Sequence, residues 1–303
     1  MSEAEIVAKL RALFPRVGDD AAVVGEQVIT TDMLLEDVDF TRAIETRFLA
    51  RKSLAVNLSD LAAMGAKPLH AVIALGVPPW LDVDAFFDAL KEAAVEWRIE
   101  IVGGDLSRAD KLIISVTAVG EAKQPLLRSG AKPGDRLYVS RPIGGSAAGL
   151  QFLQKPPQTP LFTQREVVES AIRRHVDPEP ELDLGQKLVA IATACIDISD
   201  GLSTDVHHLC EASGVGAAIE RARIPVFPGL GEARLGIDVR QAVLHGGEEY
   251  ALLFTSALRE AELSAKVRRP VYAIGRITRE REVLLDGAKL APGGWDHFAP
   301  VSS

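Results

Sequence analysis

Two spacings of apolar residues run through the chain. Short runs rich in β-branched residues or with alternating polarity, "QVITT", "LHAVIALGV", "KLIISVTAVG", "DRLYVS", "ACIDIS", "GAAIE", "YALLFT" and "VYAIG", predict strands. Longer stretches with helical spacing predict helices beginning near Thr46, Asp82, Gly145, Thr163, Ser199 and Ser256. Strands interleaved with helices in this way predict an α/β chain, or α+β with mixed sheets. No internal repeat or low-complexity segment interrupts the pattern.

One helical stretch breaks the usual amphipathic rule. In "AVNLSDLAAMGAKP", residues 55–68, apolar residues cover the cylinder all round. A helix of that kind is buried. Gly65 and Pro68 stop it. Asp60 nevertheless sits inside it, with Val56, Asn57, Ala63 and Met64 as its helical neighbours. A buried carboxylate without a partner costs several kcal/mol, so Asp60 requires one. The small neighbours Ala62, Ala63 and Gly65 would let this helix pack closely.

With 303 residues, the chain exceeds one ordinary hydrophobic core, and two domains are expected. "SGAKPGD" places Pro133-Gly134 for a type II turn and puts the boundary between residues 1–133 and 134–303. "QKPPQTP", residues 154–160, reads as a surface loop. The 47% hydrophobic and 25% charged residues are those of an ordinary globular protein, without a run long enough for a bilayer. "MSEAEIVAKL" lacks the basic and apolar regions of a secretory signal, and two cysteines make no disulfide framework; a cytoplasmic location is expected. The net charge of -8 disfavours nucleic acid held by bulk electrostatics.

Asp60 has companions. "GDDAAVV" puts Asp20 before an apolar run, and "VITTDMLL" puts Asp32 directly after an expected strand. "EIVGGDLS" does the same with Asp105, and "CIDISDGLSTD" carries Asp197 and Asp200 in a strand-to-helix turn. Taken singly, these acids have structural readings: Asp200 or Ser199 as a helix cap, Asp32 and Asp105 as turn residues, Asp20 as a surface acid. Asp60 has none of these. As a set, isolated carboxylates in apolar frames need cations, and few lysines or arginines accompany them. The six histidines show no metal-binding spacing, so an all-oxygen site suited to Mg²⁺ is expected, and such sites keep company with phosphates. No GxxxxGK[ST] loop is present. "IGGSAAGL", residues 143–150, could cradle a phosphate, but tight strand–helix packing is its preferred reading. In "HGGEEYALLF", Glu249 is expected to be exposed.

The blocks "GDDAAVV", "TTDMLL", "NLSDLAAMGA", "GGDLSR", "RSGAKPGD", "IDISDGLSTD", "HGGEEY" and "WDHF" resemble, in order and over nearly the whole chain, those of the thiamine-monophosphate kinases. These are members of the aminoimidazole ribonucleotide synthetase-like superfamily, which uses ATP without a P-loop. The resemblance implies a two-domain α/β fold whose N-terminal domain binds ATP and Mg²⁺ and pairs with that of a second subunit through β-strands, a homodimer. It implies conversion of ATP and thiamine monophosphate to ADP and thiamine diphosphate. By the same resemblance, Asp20, Asp32, Asp60, Asp105 and Asp197 bind several Mg²⁺ ions with the help of Thr30 and Thr31, and Asp200 holds a further one. Gly104, Asp105, Arg128 and Ser199 match ATP-contacting positions; Glu248 and Trp295 match positions holding the thiamine moiety. Asp39 stands where many members have a substrate-contacting histidine; it could accept a hydrogen bond but not donate one to phosphate.

The transfer implied is direct and in line, without a covalent phospho-enzyme, because the attacking phosphate oxygen is already anionic. His207, His208 and His245 are assigned surface or loop roles. Alternatives are selenophosphate synthetase-like or hydrogenase-maturation-like enzymes, or a noncatalytic nucleotide-binding relative. Against the first stands an N-terminal half without cysteine; against the second, the ending "PVSS" without a cysteine tail. Against the third stands the near-complete acid set.

Overall fold

The computed structural model describes residues 3–14, 16–156, 162–231 and 235–298. Most of the proline-rich stretch 154–160 and the terminal "PVSS" lie outside the described residues. The first half contains α1 (Glu3–Leu13), β1 (Ala22–Val24), β2 (Gln27–Leu35), α2 (Thr46–Ala63), β3 (Lys67–Val77), α3 (Val83–Glu96), β4 (Glu100–Arg108) and β5 (Ile113–Glu121). The second contains β6 (Arg136–Val139), α4 (Gly145–Gln154), α5 (Phe162–Val176), α6 (Leu182–Leu188), β7 (Ala194–Asp197), α7 (Leu202–Ser213) and β8 (Gly216–Ile219). It continues with α8 (Val239–His245), β9 (Leu252–Ser256), α9 (Glu260–Val267), β10 (Tyr272–Thr278), β11 (Val283–Leu285) and β12 (Ala288–Lys289).

Each half has its own sheet among the described residues, in the orders β1-β2-β5-β3-β4 and β12-β11-β8-β10-β6-β9-β7. Both are mixed: β3 and β4 run parallel, as do β8 and β11, and the other pairings are antiparallel. One face of the first sheet packs Val28, Leu34, Ile73 and Val116 against Leu54 and Leu58 of α2 and Phe86 of α3. The other face, reached by period-two alternation, presents Met33 and Val72 to solvent at 59% and 41% exposure. Strand β4 forms the open edge, with Val102 and Leu106 exposed.

Burial of α2 on nearly all sides is observed: Leu49, Ala50 and Lys52 to Ser59 are buried, and Arg51 and Asp60 are half-buried. Its sheet side lies on the first half. Its far side receives α6, where a Cβ on Gly185 would fall 2.0 Å from the Ala62 carbonyl oxygen. The helix ends at Met64, and Gly65 takes φ +65° as the left-handed stop. The turn at Lys132–Asp135 also forms, with Gly134 at φ +98° and Asp135 N–H donating to the Lys132 carbonyl.

Several elements depart from the sequence expectation. Asp32 and Asp105 do not follow strands but lie inside β2 and β4. Glycine does not end β4, because β3 runs alongside it; a Cβ on Gly104 would meet the Ile73 carbonyl oxygen at 1.9 Å. Ser256 closes β9, and the helix expected there begins at Glu260. The helices α1, α6 and α8, the last two of seven residues each, have no counterpart in the sequence expectation.

Candidate functional site

The last turns of α2 fasten both halves together. Asn57 accepts from the backbone N–H of Asp32 at 3.0 Å, where β2 has passed the end of β1 and lacks a strand partner on that edge. The Thr30 hydroxyl donates to Asp60 Oδ2. Ser59 donates to Asp197 Oδ2 at 2.5 Å, at the end of β7 in the second sheet. The "NLSD" stretch thus ties β2 to one side and β7 to the other.

Carboxylate oxygens of Asp20, Asp60 and Asp197 lie within 4.8 Å of one another. The Asp20 side chain has no exposed surface. Arg128 donates to its Oδ1 from Nη2 at 2.6 Å and Nε at 3.1 Å, while the buried Oδ2 has no hydrogen-bond partner among the described residues. Burial raises the Asp20 carboxyl against the opposing pull of Arg128. Burial, then Asp32, Asp197 and Asp20, push Asp60 well above the carboxylate range; burial and Asp20 do the same to Asp197. Asp32 is raised to about 6 by burial, Asp39 and Asp20. Like charges held this close are a destabilising arrangement for protein alone, and one cationic side chain does not neutralise three acids. The donors are all oxygen, one buried oxygen is unpartnered, and the set fits a hard divalent cation.

Not every expected residue joins this group. Thr31 points to the opposite face of β2 from Thr30, donating to the Val116 carbonyl at 3.0 Å. Asp105 is in register with Ala74, Ser115 and Met33, so its side chain is on the sheet's open face. Gly104 is in register with Ile73 on the same edge strand. Three strand spacings, about 14 Å, separate β4 from β2. Asp39 accepts from Leu35 N–H at 2.8 Å, closing its own turn.

The second half carries another acid group. Asp200, Asp205 and His208 bring ligand atoms within 4.8 Å of one another. Neither Ser199 nor Asp200 caps α7. The carboxylate of Asp205 reaches back from inside the helix to accept from the N–H groups of Asp200 and Gly201, at 3.2 and 3.0 Å. His208 lies 3.7 Å from Asp205, His207 bonds the Ser203 carbonyl and His245 the Ser203 hydroxyl.

The turn at Ser199–Asp200 also anchors the two residues matched to thiamine positions. Glu248 N–H donates to the Ser199 carbonyl at 2.7 Å, and Trp295 N–H to that of Asp200 at 3.0 Å. Trp295 is 54% exposed, its ring edge-on to His297. Glu248 and Tyr250 both take positive φ, +59° and +49°. This backbone is held from behind by Arg141, whose Nη2 donates to the Glu249 and Tyr250 carbonyls. Glu249 is not exposed as expected but buried, and its Oε1 accepts from Gly144 and Ser146 N–H at 2.8 Å each. The N-terminus of α4 therefore holds the chain's own carboxylate rather than a phosphate. Its glycines serve packing, with a Cβ on Gly149 falling 2.1 Å from the Ala171 carbonyl oxygen.

Lys52, fully buried in α2, places Nζ 2.6 Å from Glu248 Oε1. His175 Nδ1 lies 3.3 Å from the other oxygen and 3.1 Å from the Ser146 hydroxyl. Burial and Lys52 lower His175 to about 4, so the ring is neutral at pH 7. Burial opposes ionisation of Glu248, but the Lys52 ammonium beside it outweighs burial and lowers its carboxyl. Lys52, His175, Asp205 and Glu249 were missed from sequence. Only Lys52 left a signal, as it shares the helical stripe of Val56, Ser59 and Asp60.

Residues 18–122 match the family described as AIR synthase related protein, N-terminal domain, and residues 132–286 its C-terminal domain. The chain is 35% identical to the thiamine-monophosphate kinase of Aquifex aeolicus, over 93% of this chain and 92% of that one. It is 36% identical to the thiamine-monophosphate kinase of Escherichia coli strain K12, over 93% and 91% of the two chains. A solved structure described as "AaThiL complexed with AMPPCP and TMP" superposes with a TM-score of 0.89 at 32% identity, covering 98% of this chain and 97% of that chain. The thiamine-monophosphate kinase structure from Stenotrophomonas maltophilia gives 0.79 at 34% identity, covering 95% and 98%. With both halves matched and the acid-bearing blocks in place, the chain belongs to the thiamine-monophosphate kinase family of AIR synthase related proteins.

Proposed function

We propose that this chain transfers the terminal phosphate of ATP to the phosphate of thiamine monophosphate, giving ADP and thiamine diphosphate. The observation that carries the reading is the convergence of Asp20, Asp60 and Asp197 beside an unpartnered buried carboxylate oxygen. Asp20, Asp60 and Asp197, with Asp32 and the Thr30 hydroxyl alongside, would hold Mg²⁺, and Asp200 with Asp205 a further ion. Bound there, Mg²⁺ would neutralise phosphate oxygens and bring two anionic groups together. Arg128 uses Nε and Nη2 on Asp20, leaving Nη1 as the donor for a nucleotide phosphate. Ser199 sits in the turn between the two acid groups. The acceptor phosphate needs no general base, so the chain's task is orientation and neutralisation, in line with a direct transfer.

At the other end, Glu248 and Trp295, both hydrogen-bonded to the 199–200 turn, would receive the thiamine rings. Stacking on Trp295 suits a cationic heteroaromatic. Asp39, tied to its own turn, would contribute negative potential rather than a donated bond.

The exposed apolar positions Met33 and Val72, with the unpaired edge β4, support a homodimer formed through the first sheet. Gly104 and Asp105 lie on that edge, which is where their proposed ATP contacts would have to be made. The domain division is placed at residues 133/134, between the two sheets. Among the described residues no helix is long and apolar enough to cross a membrane.

Purified protein with ATP and Mg²⁺, offered thiamine monophosphate, thiamine and aminoimidazole ribonucleotide precursors in turn, tests the reading. ADP should form with the first alone; equal rates on the precursors, or none with thiamine monophosphate, refute it.

A further inference from the structure

Glu248 is the acid matched to the thiamine end, yet it is not a free anion. Lys52 Nζ stands 2.6 Å from Oε1, and the Tyr250 hydroxyl lies 3.5 Å from the same oxygen. His175 Nδ1 stands 3.3 Å from Oε2. The lysine has no exposed surface, whereas 27% of the glutamate side chain remains accessible. Lys52 comes from α2 and Glu248 from the loop before β9, so the pair also clasps the two halves.

A buried ammonium in contact with a carboxylate cancels its charge but not its capacity to accept hydrogen bonds, since each oxygen offers two lone-pair sites. What the pair shows to the cleft is therefore an electrically neutral acceptor. We propose that Lys52 is a positioning residue that sets specificity: it fixes Glu248 as an acceptor for a neutral N–H donor, the exocyclic amine of the aminopyrimidine ring, rather than as a counter-ion for the thiazolium cation. This rests on the kinase reading above and deepens it.

The groups facing Glu248 leave little else to set its state. Lys52 approaches from α2, His175 from α5, and Tyr250 from its own loop; Ser146 of α4 occupies His175 Nδ1 in turn. His175 is uncharged at neutral pH and adds no second cation. Asp39 adds negative potential at this end of the cleft, available to a ring cation without help from Glu248. A site built to accept an N–H rejects an analogue lacking it far more strongly than an apolar pocket rejects a change of size.

The test compares thiamine monophosphate with its 4-oxo analogue, in which the amine is replaced by a carbonyl. Wild type, Lys52→Met and the double variant Lys52→Met/Glu248→Gln are assayed for KM and kcat on each compound and on ATP, with a melting curve for each protein. Wild type should prefer the amine by roughly 10- to 100-fold in kcat/KM, the cost of leaving the buried carboxylate oxygen without its donor. Lys52→Met should raise KM for thiamine monophosphate about tenfold and reduce the preference to a few-fold, with KM for ATP within about twofold. The double variant removes both charges; it should melt above Lys52→Met and recover part of the preference through the amide oxygen. If Lys52→Met does not fold, the double variant decides alone. A variant that melts lower yet keeps its preference overturns the inference, as does an equal loss toward ATP. Wild type inactive on both compounds removes the kinase reading, and this inference with it.

Discussion

Ser59, at the end of a first-half helix, donates to Asp197, at the end of a second-half strand, at 2.5 Å. Ser59 is fully buried and Asp197 nearly so. The bond therefore supports an acid of the candidate site and joins the two halves at once. Ser59→Ala should cost about 1–3 kcal/mol in urea unfolding, the range for a buried polar group left without its partner. It should also weaken Mg²⁺ protection against melting, which a purely structural bond would leave unchanged.

Asp60→Asn separates a metal ligand from a structural acid. The amide can still accept from Thr30 while removing one charge from the group. In EDTA at pH 8 the variant should melt at the wild-type temperature or above it. With Mg²⁺ and ATP the order should reverse, because a ligand stabilises in proportion to its binding. A variant clearly less stable in EDTA, yet normally stabilised by Mg²⁺-ATP, would refute the ligand role.

The same acids set a pH dependence in the absence of metal. Asp32 rises from its ordinary 3.8 to about 6, and Asp20, Asp60 and Asp197 are also raised. A raised carboxyl in the fold favours the folded state fully below the unfolded-chain value and loses that contribution as pH climbs through the folded value. In chelator, this contribution to the melting temperature should decline as pH rises from about 4 through about 6 and beyond. Asp32→Asn should flatten the decline. Magnesium protection should run the other way, strengthening over the same interval. A chelated protein with the same slope in wild type and Asp32→Asn would contradict the assignment.

Glu249 offers a test of the loop that carries Glu248. Its Oε1 satisfies two N–H groups at the start of α4. Glu249→Ala should destabilise by about 2–4 kcal/mol, since each buried donor left alone costs about 1–3 kcal/mol. Glu249→Gln keeps an acceptor and should cost less than half as much in the same denaturant titration.

The sequence made the acids visible because each stood isolated among apolar residues, and Asp20, Asp60 and Asp197 do converge. Their local settings were harder to read. A strand that continues through "TTD" or "GGD" has no composition to mark it, and tertiary pairing with β5 and β3 kept both strands going. Continuation then decided faces, sending Thr31 and Asp105 away from Thr30 and Asp32. Lys52, despite its place on the α2 stripe, and Glu249 were harder to read for a different reason. Charged residues beside another charge, in "RK" and "EE", read as solvated surface; only the folded contacts of α2 with the second half and of α4 with the loop show them buried.

Product balance tests whether the acid group serves phosphoryl transfer to a phosphate: purified protein is incubated with ATP, thiamine monophosphate and Mg²⁺, and ADP and thiamine diphosphate are both quantified. One thiamine diphosphate should form per ADP, abolished by EDTA and restored by added Mg²⁺. ADP formed without thiamine diphosphate, or transfer that persists undiminished in EDTA, would contradict that role.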